Sequence, residues 1–281
     1  MLASEKIIVA PGWETCLQAS GLDSVAGVYG FSGGEVIVRS GSTEVRRVQL
    51  REGAAMRPVF IKKYWASHRR QLCSGALRGT FLGWSKARRE YRNLGRLRQW
   101  GLDAPAPVAY GEERRCRWLT RSFLMSEGVD DPCMLDVFIR NELARAAGPE
   151  DRAFRRQLID SLARYVRRLH EHRFVHHDLF WRNVILSGHD LSHFYLIDAH
   201  KGGLWLPGAG TWARAKDLAT LDAAAPAFFR RTERLRFLLG YLGLGRLDVR
   251  GRRLARRVMH AAAPQRAKQI RRVQEGRLIA N

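Results

Sequence analysis

Hydrophobic and polar positions change their rhythm once along the chain. In the front part, short β-type runs alternate with turn-formers: EVIVRS from Glu35, EVRRVQL from Glu44 and PVFIKKY from Pro58. Residues up to about position 65 are therefore predicted to be mainly strands. Ser85 to Trp100 then shifts to a helical period. Tyr91, Leu94, Leu97 and Trp100 recur every three residues, and Gly101 is placed to end the helix. DAPAPVAYG is a proline-rich entry into a strand, and WLTRSFLMSEG is a second strand candidate. Beyond Gly128 the pattern becomes helical. DPCMLDVFIRNEL reads as a helix start, and Phe154, Leu158, Leu162, Tyr165, Val166 and Leu169 lie on one face of a long helix. A loop-and-strand section runs from Val175 to Ile197, and the remainder from about Arg214 is helical and basic. No internal repeat is present. A strand-rich front and a helix-rich back predict an α+β protein of two lobes, with the N-lobe over 1–127 and the C-lobe over 128–281.

Composition narrows the class. The 281 residues are 46% hydrophobic and 27% charged, a globular balance long enough for a substantial core. No run of about 18 uncharged apolar residues marks a transmembrane helix, and MLASEKIIVAPGWE lacks the features of a secretory signal. A cytoplasmic location follows as the expectation. Cys16, Cys73, Cys116 and Cys133 form no close-spaced pair, so reduced thiols are expected and a zinc site is not. The net charge of +22 concentrates anions near the surface, whether phosphates, anionic lipid or nucleic acid. Neither helix-turn-helix nor zinc-finger spacing occurs, so no sequence-specific nucleic acid is expected.

The chemistry concentrates in FVHHDLFWRNVIL and FYLIDAHKGG. The first supplies Asp178, with Asn183 five positions on; the second ends an apolar strand on Asp198. Phosphoryl transfer uses these residue types. One carboxylate orients and deprotonates the attacking hydroxyl, while an amide oxygen and a second carboxylate hold Mg²⁺ against nucleotide phosphates. The segments resemble the catalytic loop and the metal-binding aspartate of the protein-kinase-like superfamily. The resemblance implies Asp178 as catalytic base, with Asn183 and Asp198 as metal ligands. It also implies Lys62, in the run Val-x-Ile-Lys, as the phosphate-contacting lysine. Glu90 is its implied partner, and Glu52 is a weaker rival. Lys63 would face the opposite side of that strand. Two places compete for the nucleotide-phosphate loop: the glycines at 27, 30, 33 and 34, and Ser40-Gly41-Ser42 between two strands. The segment MSEG, with Glu127, stands where kinases hold adenine through backbone groups.

Asp198 is followed by Ala-His-Lys, which departs from eukaryotic protein kinases. FIKKY, ARREYRNLGRLRQWGLDAPAPVAYG, HHDLFWRNVIL, LIDAHKG and RAKDLATL are together similar to the lipopolysaccharide kinase (Kdo/heptose kinase) family. This implies ATP and Mg²⁺ as cofactors, and a Kdo or heptose sugar of an anionic glycolipid as acceptor. It also implies a workplace at the inner face of the inner membrane. Asp217, in KDLATL, is implied to brace the catalytic loop. Arg252, Arg253, Arg256 and Arg257 alternate with apolar residues in a basic amphipathic helix that either lies on anionic lipid or packs on the helical lobe. LCSGALRGTFLGW is either an acceptor-side loop or core. Two further readings stay open: a kinase for proteins or soluble small molecules, and a non-catalytic basic scaffold.

Overall fold

A computed structural model describes residues 3–52, 55–66, 83–143, 149–188 and 190–275. The chain divides into two compact units. One comprises the residues up to Arg96 and Pro105–Gly128; the other comprises Leu97–Ala104 and the residues from Val129.

The first unit is built on six antiparallel strands: β1 (Ala3–Val9), β2 (Glu35–Arg39), β3 (Thr43–Glu52), β4 (Ala55–Trp65), β5 (Pro107–Arg115) and β6 (Trp118–Glu127). Their order across the sheet is β1-β5-β6-β4-β3-β2. Side chains alternate across β4. Val59, Ile61 and Lys63 turn inward, which leaves Phe60, Lys62 and Tyr64 on the other face. The inward face packs with Leu17, Leu22, Val25 and Val28 into the unit's core.

Those four residues come from a region expected to be mainly strand. It contains two short helices, α1 (Glu14–Ala19) and α2 (Val25–Gly30), and this corrects the expectation. Six residues complete fewer than two turns and cannot display a helical period, and α1 has no side-chain cap to mark it either. Ser24 caps α2 by accepting from the Gly27 amide at 2.9 Å. A Cβ on Gly27 would stand 2.1 Å from the Gly21 carbonyl oxygen, so the chain passes itself too closely there for a side chain.

Helix α3 (Lys86–Gln99) matches the predicted periodic stretch. The Ser85 hydroxyl caps it by accepting from the Arg88 amide, and Gly101 ends it at φ +68°.

The second unit holds α4 (Leu135–Phe138), α5 (Pro149–Glu171), α6 (Gly210–Asp222), α7 (Arg231–Leu242) and α8 (Val249–Glu275). Its short strands are β7 (Pro132–Met134), β8 (Phe174–Val175), β9 (Val184–Ser187), β10 (Phe194–Leu196) and β11 (Gly203–Leu204). They form a β10-β9-β7 sheet and a β11-β8 pair. The stretch expected to open a helix at Asp131 first makes β7 and only then turns into α4. Leu158, Leu162, Tyr165, Val166 and Leu169 of α5 are buried as their spacing required.

Helix α8 turns Leu254, Val258, Ala262 and Val273 inward and packs against α6. Its apolar side is thereby used within its own unit, and Arg252, Arg253, Arg256 and Arg257 remain outside or at the margin. No helix among the described residues is long and apolar enough to cross a membrane. The stretch from Leu72, read as an acceptor-side loop or core, lies outside the described residues up to position 82.

Candidate active site

In the helical unit, β8 delivers the chain to a loop that Asp217 organises from below. Asp217 is wholly buried on α6 and accepts from the backbone amides of His176 (2.6 Å) and His177 (2.7 Å). His170 adds a contact at 3.4 Å. Burial works to raise the Asp217 pKa. The His170 contact and the amide donors outweigh it and hold the carboxyl below its usual range. The loop can then make an otherwise costly turn, with His177 in the left-handed region at φ +62°. Burial depresses the His177 pKa.

One residue further on is Asp178. The loop closes behind it: Asn183 Nδ2 donates to the Asp178 carbonyl at 2.8 Å, and the Asn183 amide donates to Phe180 at 2.9 Å. With its nitrogen so used, Asn183 has Oδ1 as the atom that suits a hard cation. Ile197 links the next strand to this loop. Its amide donates to the Asn183 carbonyl at 3.1 Å, and its carbonyl accepts from His176 Nε2 at 2.9 Å. Asp198 follows directly, itself left-handed at φ +59°, ψ +37°. The left-handed region is uncommon for residues other than glycine, although aspartate tolerates it better than most, and such residues concentrate at functional sites. His200 Nδ1 lies 2.9 Å from Asp198 Oδ1.

Two cations escaped the sequence reading. Lys201 Nζ donates to Asp178 Oδ2 at 3.1 Å, and Arg182 Nη2 lies 3.9 Å from Asp178 Oδ1. Arg182 stacks over the Phe180 ring at 4.3 Å, and burial lowers its pKa. Arg182 sits inside the motif, but nothing in its spacing identifies it as a partner of Asp178. Lys201 is 23 residues away and is brought there by the β8–β11 pairing.

In the strand unit, Lys62 Nζ donates to Glu90 Oε1 at 2.7 Å, and Tyr64 OH donates to Glu90 Oε2 at 3.2 Å. Glu90 is only 1% exposed, so its charge is compensated locally. Lys63, on the opposite face, donates to the Phe31 carbonyl and pairs with Glu44 at 3.4 Å. Burial would raise the Glu44 pKa, but Arg46 and Arg39 bring it down to about 2. Of the two glycine-rich candidates, Gly27 and Gly30 lie in α2 and Gly33 and Gly34 between α2 and β2, whereas Ser40-Gly41-Ser42 turns the β2–β3 hairpin beside the lysine strand. Nothing stands within 4 Å of a Cβ placed on Gly41. Glu127 ends β6, pairs with Arg57 at 3.4 Å and donates its amide to Ala106. The Gly128 amide goes to Pro58. Adenine held at this segment would therefore use carbonyls or later amides.

The family model of the lipopolysaccharide kinase (Kdo/WaaP) family matches residues 37–241, from β2 to α7. The chain belongs to this family. Among curated proteins, the lipopolysaccharide core heptose(I) kinase WaaP of Pseudomonas aeruginosa is 29% identical over 161 residues. That stretch is 55% of this chain and 59% of the relative, so the match spans less than two thirds of the relative's length. A solved structure of WaaP in complex with acyl carrier protein is similar over 96% of this chain and 98% of that chain. Its TM-score is 0.61 at 23% identity. This likeness shows the fold, the two-lobed kinase-like α+β arrangement expected from the sequence.

Proposed function

We propose that the protein transfers the γ-phosphate of ATP, with Mg²⁺, to a sugar hydroxyl of the lipopolysaccharide inner core, Kdo or heptose. The observation that carries this reading is the closed Asp178–Asn183 loop, hung on Asp217 and joined through Ile197 to a left-handed Asp198. In it, the Asp178 carboxylate accepts the proton of the acceptor hydroxyl as the hydroxyl oxygen forms a bond to the γ-phosphorus. The bond from that phosphorus to the bridging oxygen breaks, and ADP leaves. Asn183 Oδ1 and the Asp198 carboxylate are the oxygen donors that suit Mg²⁺, which when bound neutralises charge on the phosphates. Lys62, kept in place by Glu90, contacts phosphate oxygens, and the hairpin turn at Gly41 covers them. The carbonyls near Glu127 receive the adenine amine. Lys201 and Arg182 beside Asp178 favour an anionic acceptor over a cationic one.

The test is transfer of γ-labelled phosphate in the presence of dephosphorylated inner-core lipopolysaccharide, protein substrates and soluble sugars. Label on the glycolipid supports this function. Label on polypeptide alone would move the assignment to a protein kinase.

The solved relative is a complex with acyl carrier protein, and one feature of this chain favours the same partner here. An apolar cavity of about 400 Å³ in the helical unit is lined by Leu158, Leu162, Trp181, Leu218, Phe237 and Val258. It has the size and chemistry for an acyl chain. Filling it with Leu218→Trp should reduce co-purification of acylated carrier protein. Unchanged co-purification counts against the cavity as the seat.

A further inference from the structure

The segment after Lys201 presents apolar side chains to solvent from a rigid frame. Leu204 is 53% exposed, Leu206 76% and Trp212 64%. Folding has not simply failed to cover them. Trp205, between the two leucines, turns inward and packs edge-on to His170 with ring centroids 6.1 Å apart. Alternation along this extended stretch then puts Leu204 and Leu206 on the outer side.

The frame is well tied. The Trp205 amide donates to the Arg173 carbonyl at 3.0 Å, and Arg173 Nη2 donates back to the Trp205 carbonyl at 3.1 Å. The Ala209 amide closes a turn on Leu206 at 3.1 Å, with Gly208 at φ +83°. Gly210 lies so close to the Trp205 indole that a Cβ there would come within 2.8 Å of Nε1. Trp212 stands in the first turn of α6, with Lys216 Nζ 5.5 Å from its ring centroid. Between Lys201 and Lys216 the sequence KGGLWLPGAGTWARAK contains three cations and no carboxylate.

A protruding leucine, a tryptophan beside it and flanking cations match the interfacial layer of an anionic bilayer. Apolar groups enter the acyl boundary, the indole sits at headgroup depth, and lysine and arginine meet the phosphates. Charge complementarity extends over the whole molecule at +22. Helix α8, the other basic candidate, keeps Leu254, Val258, Ala262 and Val273 for its own unit and exposes only Val249 and Met259, ten residues apart, among its large apolar side chains.

We propose that the segment from Leu204 to Trp212, through Leu204, Leu206 and Trp212, seats the protein in the interface of an anionic phospholipid membrane. Lys201 opens this segment and bonds Asp178, so the seat brings the catalytic carboxylate to a lipid-borne acceptor. The membrane seat itself does not depend on phosphotransfer.

The experiment is co-sedimentation of the full chain with vesicles of phosphatidylcholine, with and without phosphatidylglycerol. Wild type, Leu206→Asp, Trp212→Asp and the double variant Arg252→Glu/Arg256→Glu are compared, with circular dichroism confirming each fold. Wild type should bind only the anionic vesicles, and each aspartate variant should bind about tenfold or more weakly, the scale of one lost apolar burial. No wild-type binding overturns the proposal. So does binding that survives both aspartate substitutions and is lost only with the α8 variant. A concentration-dependent dimer that Leu206→Asp dissolves, with vesicle binding unchanged, would show that a second copy covers the segment and would also overturn it. The assay contains neither ATP nor sugar, so failure of the kinase reading leaves its result unaffected.

Discussion

Asp217 shows how one buried carboxylate specifies a loop it never enters. It accepts two backbone amides in consecutive positions, and both bonds are charge-assisted. Asp217→Asn keeps the shape but turns one acceptor into a donor that faces an N–H. The expected cost is about 2–4 kcal/mol of stability, read from denaturation midpoints. An unchanged midpoint would mean that the loop is held by other contacts. Glu90 works the same way on a side chain. Glu90→Gln removes the charge that anchors Lys62, and kcat/KM for ATP should fall about tenfold to a hundredfold while the fold persists. Unaltered kinetics would show that Lys62 does not need Glu90.

At this scale the sequence was informative where chemistry is local. Asp178 and Asn183 are five residues apart, and the Asn183 side chain closes the loop on the Asp178 carbonyl. Lys201 was not legible as a partner of Asp178, because only the pairing of β8 with β11 brings it near.

Among the elements, Gly34, just before β2, and Gly41, at the tip of the β2–β3 hairpin, differ in the room around them. Gly34 has φ +77°, and a Cβ on it would stand 2.4 Å from the Arg47 carbonyl oxygen. Gly34→Ala should destabilise the strand unit by about 2 kcal/mol or more. Gly41, at the tip, has open space around it. Gly41→Val should leave the melting temperature within about 1 °C, as surface changes do, yet raise the KM for ATP if the turn covers phosphates. A normal KM in that variant would remove the hairpin from the nucleotide site.

Long periodic elements were visible in advance. The apolar stripes of α3 and α5 and the alternation of β4 are direct consequences of burying one face. The helices α1 and α2 were not visible, because a six-residue helix has too few turns for a period to register. The phosphate-loop position stayed ambiguous in the sequence because turn glycines are common. Sheet order, which a linear reading cannot supply, puts the Ser40-Gly41-Ser42 turn beside the lysine strand.

For the whole molecule, acid should act mainly through the groups whose proton affinity folding suppresses. His177 and Asp217 both have folded pKa values below their unfolded ones. The unfolded chain therefore binds more protons as pH falls, and stability drops with it. The His177 contribution is fully present above its unfolded pKa of about 6.5 and fades as pH falls toward its lower folded value. The Asp217 contribution fades below about 4. His177→Asn tolerates the left-handed backbone and does not titrate, so it should shrink the difference in melting temperature between pH 7 and pH 5. An undiminished difference would place the acid sensitivity elsewhere.

The proposed phosphotransfer through Asp178 is the central claim, and one comparison tests it most directly. Wild type and Asp178→Asn are each given γ-labelled ATP, Mg²⁺ and dephosphorylated inner-core lipopolysaccharide, with Mg²⁺-ATP binding measured in parallel. The predicted result is labelled glycolipid with wild type. The variant should show a loss of at least about 10²-fold in rate at nearly unchanged nucleotide affinity, as removal of a general base demands. Transfer by the variant at the wild-type rate would contradict the role assigned to Asp178.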